Sequence, residues 1–373
     1  MVVALVIFGI VTAVALANAN KDTEPPQVYI EAPAETPAHI AFDIFMSANE
    51  PVTYKVRYGD TELEEVAQDY KLSLIAKEGE QTVDVVAIDA ANNESSYQFK
   101  VRGIAAVKPM LHAPGALTPG EPFSVEVTWQ EGFKPSSLEV IIAGNPINSV
   151  LKESSALAIS SIPLGSQPQQ FPITVKLGDE HGRVTTASHM LEVLPYPQEV
   201  EELNLTSSTL SVVTPEGRAL ENQVLEAAYA KKDEHPAPRW TEAFVLPVIG
   251  RDTSGFGSPR RYVRGGNVSY HSGADIAAPT GVSVLATNKG KVLIADFFPI
   301  KGGFVLIDHG SRVFSYYFHL STIHVKAGDM AEVGQVIGEV GSTGLSTGPH
   351  LHWEMRVDGI SSNPMSWVGK VNP

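Results

Sequence analysis

Five residues with metal-binding or proton-carrying side chains fall in three short segments near the end of the chain. They are His271 and Asp275, then His319, then the pair His350 and His352. The pair stands two residues apart in a run predicted to be a strand, so both imidazoles should lie on one face of a sheet. His271 and Asp275 are four apart with a glycine between them, which favours a turn leading into a strand. Such a turn can direct both side chains inward.

The types of these side chains indicate a catalytic zinc site. A catalytic zinc ion keeps three protein ligands and an open position for water, and two histidines with one carboxylate form an attested set. The chain supplies that set with two histidines remaining, and imidazole can carry protons near neutral pH. The sequence contains no cysteine, which excludes thiolate ligands, thiolate nucleophiles and disulfides. We therefore expect one zinc ion (Zn²⁺) per chain.

Longer motifs surround these residues. They are Ser254-Gly-Phe-Gly257, His271-Ser-Gly-Ala-Asp275-Ile-Ala-Ala-Pro279, Val305-Leu-Ile-Asp-His-Gly310, Tyr317-Phe-His319-Leu320 and Gly341-Ser-Thr-Gly-Leu-Ser-Thr-Gly-Pro-His350-Leu-His352. Through these motifs, residues 254–367 resemble the lysostaphin-type, LytM-like zinc endopeptidases of bacterial cell walls. The resemblance implies a β-barrel-like duplicated hybrid motif domain that hydrolyses peptide bonds in peptidoglycan stem peptides or cross-bridges.

The same resemblance implies a role for each of the five residues. His271, Asp275 and His352 match the zinc ligands of that family, while His319 and His350 match its non-ligand catalytic histidines. Family members that only activate other wall hydrolases have typically lost such residues. All five positions are filled here, which favours an active enzyme.

Two other functions stay open at this point. The chain could be a catalytically silent wall-binding adaptor, or an activator of other wall hydrolases, with zinc held structurally or not at all. It could also be a carrier domain, because residues 325–329 and 332–338 resemble biotinyl and lipoyl hairpins. A carrier needs a modifiable lysine at a hairpin tip, and the sequence has neither a Met-Lys-Met nor an Asp-Lys-Ala triplet.

Other polar residues near the motifs are interpreted as structural. His309 and His324 are typical of surface or turn positions. Arg260, Arg261 and Arg264 could pair with the carboxylates of stem peptides, although a short basic run is more typical of a solvated loop.

The elements that position these residues are predicted to be mostly β-strands. In the last part of the chain, strands are expected at residues 282–287, 291–297, 304–308, 313–318 and 351–357. Upstream, apolar and polar residues alternate in short runs separated by turn clusters. This pattern predicts two immunoglobulin-like β-sandwich domains, at residues 20–104 and 105–197.

A helical linker is predicted between the sandwiches and the peptidase domain, over residues 198–237. Its helix should span about 215–232, with Thr214 as N-cap and a proline at the first position. Leu220, Val224 and Ala228 are four apart and should form its buried stripe. The peptidase domain then covers residues 238–373, and these residues alone are expected to retain activity, because no comparable histidine cluster occurs earlier.

The N-terminus predicts export. Residues 2–17 are apolar, no charged side chain precedes Lys21, and Ala17-Asn18-Ala19 offers a cleavage site. Residues 1–19 are thus a signal peptide or a membrane anchor. The remaining chain is expected in the periplasm, in the cell envelope or outside the cell.

Composition limits the partners. The 373 residues carry 27 Lys and Arg against 42 Asp and Glu, a net charge of −15. This charge argues against nucleic acid as a partner, since phosphates require a basic surface. Peptidoglycan peptides are the expected partners, and the oligomeric state stays unknown.

Overall fold

The computed structural model describes residues 2–5, 22–196, 199–202, 211–230, 237–261 and 267–373. The predicted mostly β class is confirmed, with one α-helix among the described residues. Two units are separable: residues 1–107 with 179–183, and residues 108–178 with 184–373. The finer division into two immunoglobulin-like domains, a linker and a peptidase domain stays a prediction.

The first unit is built on one seven-stranded sheet. Its strands are β1 (Val2–Leu5), β2 (Val28–Pro33), β3 (Glu35–Pro37), β4 (Ala41–Tyr58), β5 (Thr61–Ile75), β6 (Gly79–Ile88) and β7 (Glu94–Ile104). The order is β1-β2-β4-β6-β7-β3, with β5 paired to β4. The first half of β4 pairs with β2 and the second half with β6. The alternating Val52, Tyr54, Val56 and Tyr58 are buried in one core, as a half-buried strand requires.

The predicted signal peptide or anchor is described only in part. Residues 2–5 form β1, which pairs with β2, and residues 6–19 lie outside the described residues. Within the part of the chain that the structure describes, no helix has both the length and the apolar character needed to cross a bilayer. Export stays a prediction.

The second unit begins with two sheets. Their strands are β8 (Met110–His112), β9 (Ala116–Leu117), β10 (Pro122–Thr128), β11 (Ser137–Ile142), β12 (Asn145–Ile147), β13 (Ser149–Leu151), β14 (Ser155–Ser161), β15 (Gln169–Gly178) and β16 (Val184–Val193). One sheet has the order β13-β14-β10-β8, the other β12-β11-β15-β16-β9. Alternate residues such as Val125, Val127, Ile173 and Val175 are buried, as their spacing predicts.

The linker helix, α1 (Pro215–Ala230), begins where the sequence predicts. The side-chain oxygen of Thr214 accepts a hydrogen bond from the backbone N–H of Gly217 at 3.0 Å, which satisfies one of the free donors of the first turn. The predicted last residues of the helix, 231–232, lie outside the described residues.

The buried face of α1 differs from the predicted stripe. Leu220 is 46% exposed, whereas its neighbour Glu221 is only 3% exposed. Val224 and Ala228 do pack against an aromatic cluster on the outer face of the main sheet. The helix is rotated so that the Glu221 carboxylate, rather than Leu220, faces the protein, because three donors there bind that carboxylate.

The rest of the second unit carries the remaining strands. They are β17 (Glu201–Glu202), β18 (Arg251–Ser254), β19 (Pro259–Arg261), β20 (Ser269–Tyr270), β21 (Ala274–Ala277), β22 (Ser283–Leu285), β23 (Gly290–Phe298), β24 (Gly302–Asp308), β25 (Val313–Leu320), β26 (Thr322–Ile323), β27 (Met330–Ala331), β28 (Val336–Glu339), β29 (His350–Val357) and β30 (Ile360–Ser362), followed by a 3₁₀ turn at Pro364–Ser366. The five strands predicted here correspond to β22, β23, β24, β25 and β29.

The main sheet of this region brings the histidine motifs together. Its order is β18-β21-β29-β25-β24-β23-β27, with β30 paired to β29, and a smaller sheet has the order β22-β28-β26. The strand β29 lies between β21 and β25, so three segments distant in sequence become neighbours. Trp353 of β29 and Tyr317 of β25 are fully buried in the hydrophobic core beneath these segments.

Candidate metal centre

Strand register places the acidic residue opposite one histidine. In the antiparallel pair β21 and β29, Asp275 faces His352 and Ala277 faces His350. On the other side of β29, Phe318 of β25 faces His352, and the two rings stack with centroids 5.1 Å apart. His350 and His352 share one face of β29, as their spacing predicts.

His271 reaches the same point from the turn that precedes β21. A Cβ atom on Gly273 would lie 2.5 Å from the carbonyl oxygen of Trp353 and 2.9 Å from Nε2 of His352. Only glycine allows this close approach of the turn to β29. The turn therefore carries His271 and Asp275 inward together.

The three residues offer one ligand atom each at short mutual distances. Oδ1 of Asp275 lies 3.2 Å from Nε2 of His271 and 2.7 Å from Nδ1 of His352. The two nitrogens are 3.1 Å apart. Among the described residues, these three form a group able to hold a metal ion.

The outer nitrogens of both imidazoles have their own acceptors. Nδ1 of His271 lies 2.9 Å from the carbonyl oxygen of Gly255, and Nε2 of His352 lies 3.1 Å from Oε1 of Glu354. Donation at these outer atoms leaves a lone pair on each inner nitrogen. With both rings neutral, two lone pairs and a carboxylate oxygen converge, an arrangement that a bound cation stabilises. The donor set fits zinc, whose histidine ligands commonly donate their other N–H to an oxygen.

The pKa values of the cluster also indicate that positive charge is stabilised there. Burial disfavours the charged form of Asp275, but hydrogen bonds from His271 and His352 outweigh it and hold its pKa far below the usual range. Burial likewise opposes charge on His352, but its contacts with Asp275 and Glu354 raise its pKa to about 9. A proton on His352 thus supplies the charge that a cation would supply.

His319 and His350 stand beside this cluster without joining it. Nδ1 of His319 lies 2.7 Å from the carbonyl oxygen of Thr343, and Nδ1 of His350 lies 2.8 Å from that of Gly348. Their ring centroids are 4.8 Å apart. Donation at Nδ1 leaves Nε2 of each ring as an acceptor, and Nε2 of His350 is 3.8 Å from Oδ1 of Asp275. Both rings can therefore accept a proton near the cluster.

His319 has an unusual backbone and a neutral ring. Its φ is +63°, a left-handed conformation that non-glycine residues rarely adopt. It lies where the pairing of β25 with β24 changes register, and such bulges redirect side chains. Burial, with smaller contributions from His352 and His350, lowers the pKa of His319 to about 3. The ring is thus a neutral acceptor at physiological pH.

Sequence reasoning missed a buried carboxylate behind the cluster. Oε1 of Glu354 accepts a hydrogen bond from Ser272 Oγ at 2.6 Å and contacts His352, while Oε2 accepts from Nε of Arg356 at 2.8 Å. Burial raises the pKa of Glu354, but Arg356 and His352 outweigh burial and hold that pKa well below normal. The period-two series His350, His352, Glu354, Arg356 was the available signal.

The basic run differs from the solvated loop that was expected. Arg260 is buried, with a guanidinium nitrogen 3.4 Å from Oδ2 of Asp275 and another 3.5 Å from Glu201. Arg261 pairs with Glu202, and Arg264 lies outside the described residues. The solvated-loop interpretation is wrong for Arg260, because β19 pairs with both β17 and β20 and encloses it.

The two histidines interpreted as surface or turn residues differ from each other. His324 is half-exposed and lies 3.1 Å from Glu339. His309 is fully buried, between the carbonyl oxygen of Lys289 at 2.8 Å and Oγ of Ser315 at 2.7 Å. The surface prediction is wrong for His309, because these two partners satisfy both ring nitrogens inside the core.

A comparison with protein families gives a match over the region of the cluster, and comparisons with single proteins give relatives. The family described as Peptidase family M23 matches residues 269–364. Peptidoglycan DD-endopeptidase ShyB of Vibrio cholerae is 42% identical over 105 residues, 28% of this chain and 25% of ShyB. ShyA, a peptidoglycan DD-endopeptidase of the same organism, is 40% identical over 140 residues, 38% of this chain and 33% of ShyA.

A solved structure is similar to part of this chain. The catalytic domain of lysostaphin from Staphylococcus simulans is 31% identical, with 31% of this chain and 90% of that chain covered and a TM-score of 0.28. The chain spans between a quarter and a third of the length of the two curated relatives above.

Proposed function

We propose that the chain is an exported, zinc-dependent endopeptidase of the bacterial cell wall, because its residues 269–364 match peptidase family M23. Its substrates are peptide bonds in the stem peptides or cross-bridges of peptidoglycan. Two relatives named as peptidoglycan DD-endopeptidases support this substrate class. Export rests on the apolar residues 2–17.

One observation carries the proposal: the convergence of two imidazoles and one carboxylate beside two further imidazoles. His271, Asp275 and His352 supply the zinc ligands, and their inner atoms lie within 3.2 Å of one another. His319 and His350 are the catalytic residues that do not bind the metal. A purely structural zinc site would normally have four protein ligands and no such pair beside it.

Residues around the metal site have separate roles in the proposed reaction. Bound zinc supplies Lewis acidity toward the scissile carbonyl and lowers the pKa of water. Nε2 of His319 or of His350 accepts the proton of the attacking water, and the protonated ring returns it to the leaving amine. Glu354 orients His352 so that Nδ1 faces the centre. Arg260 binds the second oxygen of Asp275 and fixes the rotation of that carboxylate.

The test is digestion of muropeptides of defined cross-link type with zinc-loaded protein, followed by mass spectrometry. We expect fragments from cleavage at a peptide bond, loss of activity with chelator and recovery with zinc. A His271→Ala variant should bind less zinc and release nothing. Intact muropeptides after long incubation, with zinc bound, would contradict the proposal and favour the silent adaptor.

A further inference from the structure

A buried carboxylate of α1 binds a turn of the peptidase region. Glu221 is 3% exposed and lies outside the segment that matches the family. One of its oxygens accepts hydrogen bonds from the backbone N–H groups of Ile300 at 2.7 Å and Lys301 at 3.0 Å. The other oxygen lies 2.7 Å from the ammonium group of Lys301. These three donors to the carboxylate belong to one turn.

The turn, residues 299–302, also contacts the two segments that carry His319 and His350. The carbonyl oxygen of Lys301 accepts the backbone N–H of His319 at 2.9 Å. The carbonyl oxygen of Ile300 accepts the backbone N–H of Leu345 at 2.8 Å, in the loop that leads to His350. Two consecutive carbonyl groups of the turn therefore fix the backbone on both sides of the catalytic pair.

The backbone of His319 needs such support. Its φ of +63° is a sparsely populated conformation for a residue with a Cβ atom, and it persists only where the surroundings enforce it. The enforcing contacts are the bond from its N–H to Lys301 and the bond from its ring to Thr343. Thr343 and Leu345 belong to the same loop, so the turn influences both contacts.

Docking of the helix does not itself require a buried charge. Val224, Ala228 and Tyr229 already pack α1 against the aromatic cluster of the sheet that includes Phe304 and Phe314. Burying a carboxylate is costly unless it is fully hydrogen-bonded, and an apolar side chain would dock the helix at lower cost. The polar contact instead selects one geometry of the turn.

We propose that Glu221 is a positioning residue for the peptidase: it holds the turn 299–302 so that His319 and the loop before His350 keep their catalytic geometry. The helix α1 is then part of the catalytic unit rather than a connector. This inference rests on the proposed function, because it assigns the purpose of the turn to catalysis.

The experiment compares three variants of the full chain. Glu221→Gln removes the charge that pairs with Lys301 at nearly constant volume. Glu226→Gln is the matched control, because Glu226 lies on the exposed side of the same helix. Val224→Ala weakens the apolar docking of α1 without changing any partner of the turn. Measured quantities are kcat and KM on a cross-linked muropeptide, zinc content, the midpoint of thermal unfolding, and hydrogen exchange.

For Glu221→Gln we expect kcat to fall by about 10- to 100-fold with KM nearly unchanged, since small displacements of catalytic groups have effects of this size. Zinc content should stay near one per chain, because the ligands lie elsewhere. Amide exchange should accelerate at His319 and Leu345, whose N–H groups bind the turn. Val224→Ala should lower the unfolding midpoint while leaving kcat and these two amides close to wild type.

Two results would overturn the inference. One is equal kcat for the two glutamine variants, with unchanged exchange at His319 and Leu345. The other is an equal loss of kcat in Val224→Ala and Glu221→Gln at equal destabilisation, which would make the carboxylate merely structural. If the wild type itself cleaves no muropeptide, the proposed function fails, whereas exchange at these amides still reports whether Glu221 holds the turn.

Discussion

At the scale of single side chains, substitution of the two histidines of β29 should have different effects on zinc content, although only one residue separates them. His352→Ala removes a metal ligand, so zinc content and turnover should fall together. His350→Ala leaves the ligand set intact and deletes a proton acceptor, so zinc should stay near one per chain while turnover drops by about 10²–10⁴-fold. His319→Ala should behave like His350→Ala. Elemental analysis beside muropeptide turnover measures both effects.

The opposite result for zinc content would exchange the roles of His350 and His352 as non-ligand and ligand. Loss of zinc in His350→Ala with retention in His352→Ala would make His350 the ligand. Full zinc content and full turnover in both variants would place the active site elsewhere.

Glu354 should control metal affinity without binding the metal. Glu354→Gln keeps the shape of the side chain but weakens the acceptor of the His352 N–H, so the ring is held less firmly with Nδ1 toward the centre. We expect zinc affinity to fall by about 10- to 100-fold, as for other carboxylates behind histidine ligands. Competition with a chromophoric chelator measures this change. Glu332→Gln, on the surface beside Lys289, is the control and should bind zinc like the wild type.

The convergence of the five candidate site residues could be predicted, because their residue types are rare and their spacing along strands determines which side chains share a face. A separation of two in a strand fixes a shared face, and the structure has His350 and His352 on that face. The residues behind them could not be found in the same way. Glu354 and Arg356 continue the period of two, but a charged pair at the end of a strand is usually solvated, and only strand order shows that Glu354 is buried.

At the scale of elements, the sequence predicts the positions of the strands and the helix better than it predicts which of their side chains are buried. Each of the five predicted strands of the peptidase region is present, because buried strands have long apolar runs. The face of α1 was mispredicted at Leu220, since a four-residue spacing of apolar side chains cannot reveal a polar partner on another element. The bulge at His319 had no local signal, because the carbonyl group that binds its N–H belongs to Lys301, in a turn outside β25.

His309 ties the end of β24 to β25 and to Lys289, and it should make stability depend on pH. Burial lowers its pKa to about 4, below the ordinary value of 6.5. As pH falls, the unfolded chain therefore binds the proton first, so stability that is full above about pH 6.5 is lost progressively toward pH 4. Between pH 7 and pH 5 this single group should reduce the free energy of unfolding by on the order of 2 kcal/mol.

The measurement is chemical denaturation of the wild type and His309→Gln at both pH values. The variant is expected to be less stable at pH 7, because one partner of the imidazole is lost, but to lose less stability on acidification. An equal loss in both proteins would show that His309 does not titrate in this range.

At the scale of the whole chain, the peptidase region and residues 108–197 share interactions that the sequence does not reveal. Ile159 of β14 belongs to the same core as Trp353 and Trp367. Oxygens of Glu121 accept hydrogen bonds from the side chains of Asn363 at 2.9 Å and Ser366 at 2.7 Å. No pattern in a single sequence pairs residues separated by roughly two hundred positions or more, so the boundary at 238 reflects composition rather than contacts.

These contacts bear on the prediction that residues 238–373 retain activity alone. A chain that begins at 238 lacks α1, Ile159 and both bonds to Glu121. Burial of one isoleucine contributes about 2 kcal/mol and each hydrogen bond about 1 kcal/mol. We therefore expect the chain 238–373 to be less stable than the chain 108–373 by on the order of 4 kcal/mol. Urea denaturation followed by circular dichroism measures the difference.

Activity of the two truncated chains separates stability from catalysis. If Glu221 positions the turn 299–302, the chain 238–373 should turn over muropeptides more slowly than the chain 108–373 even where both are fully folded, because it lacks the carboxylate that holds the turn. Zinc content should be the same in both, since all three ligands are present. Equal turnover per folded molecule would instead show that the peptidase region is catalytically autonomous, and the contacts with residues 108–230 would then contribute only to stability.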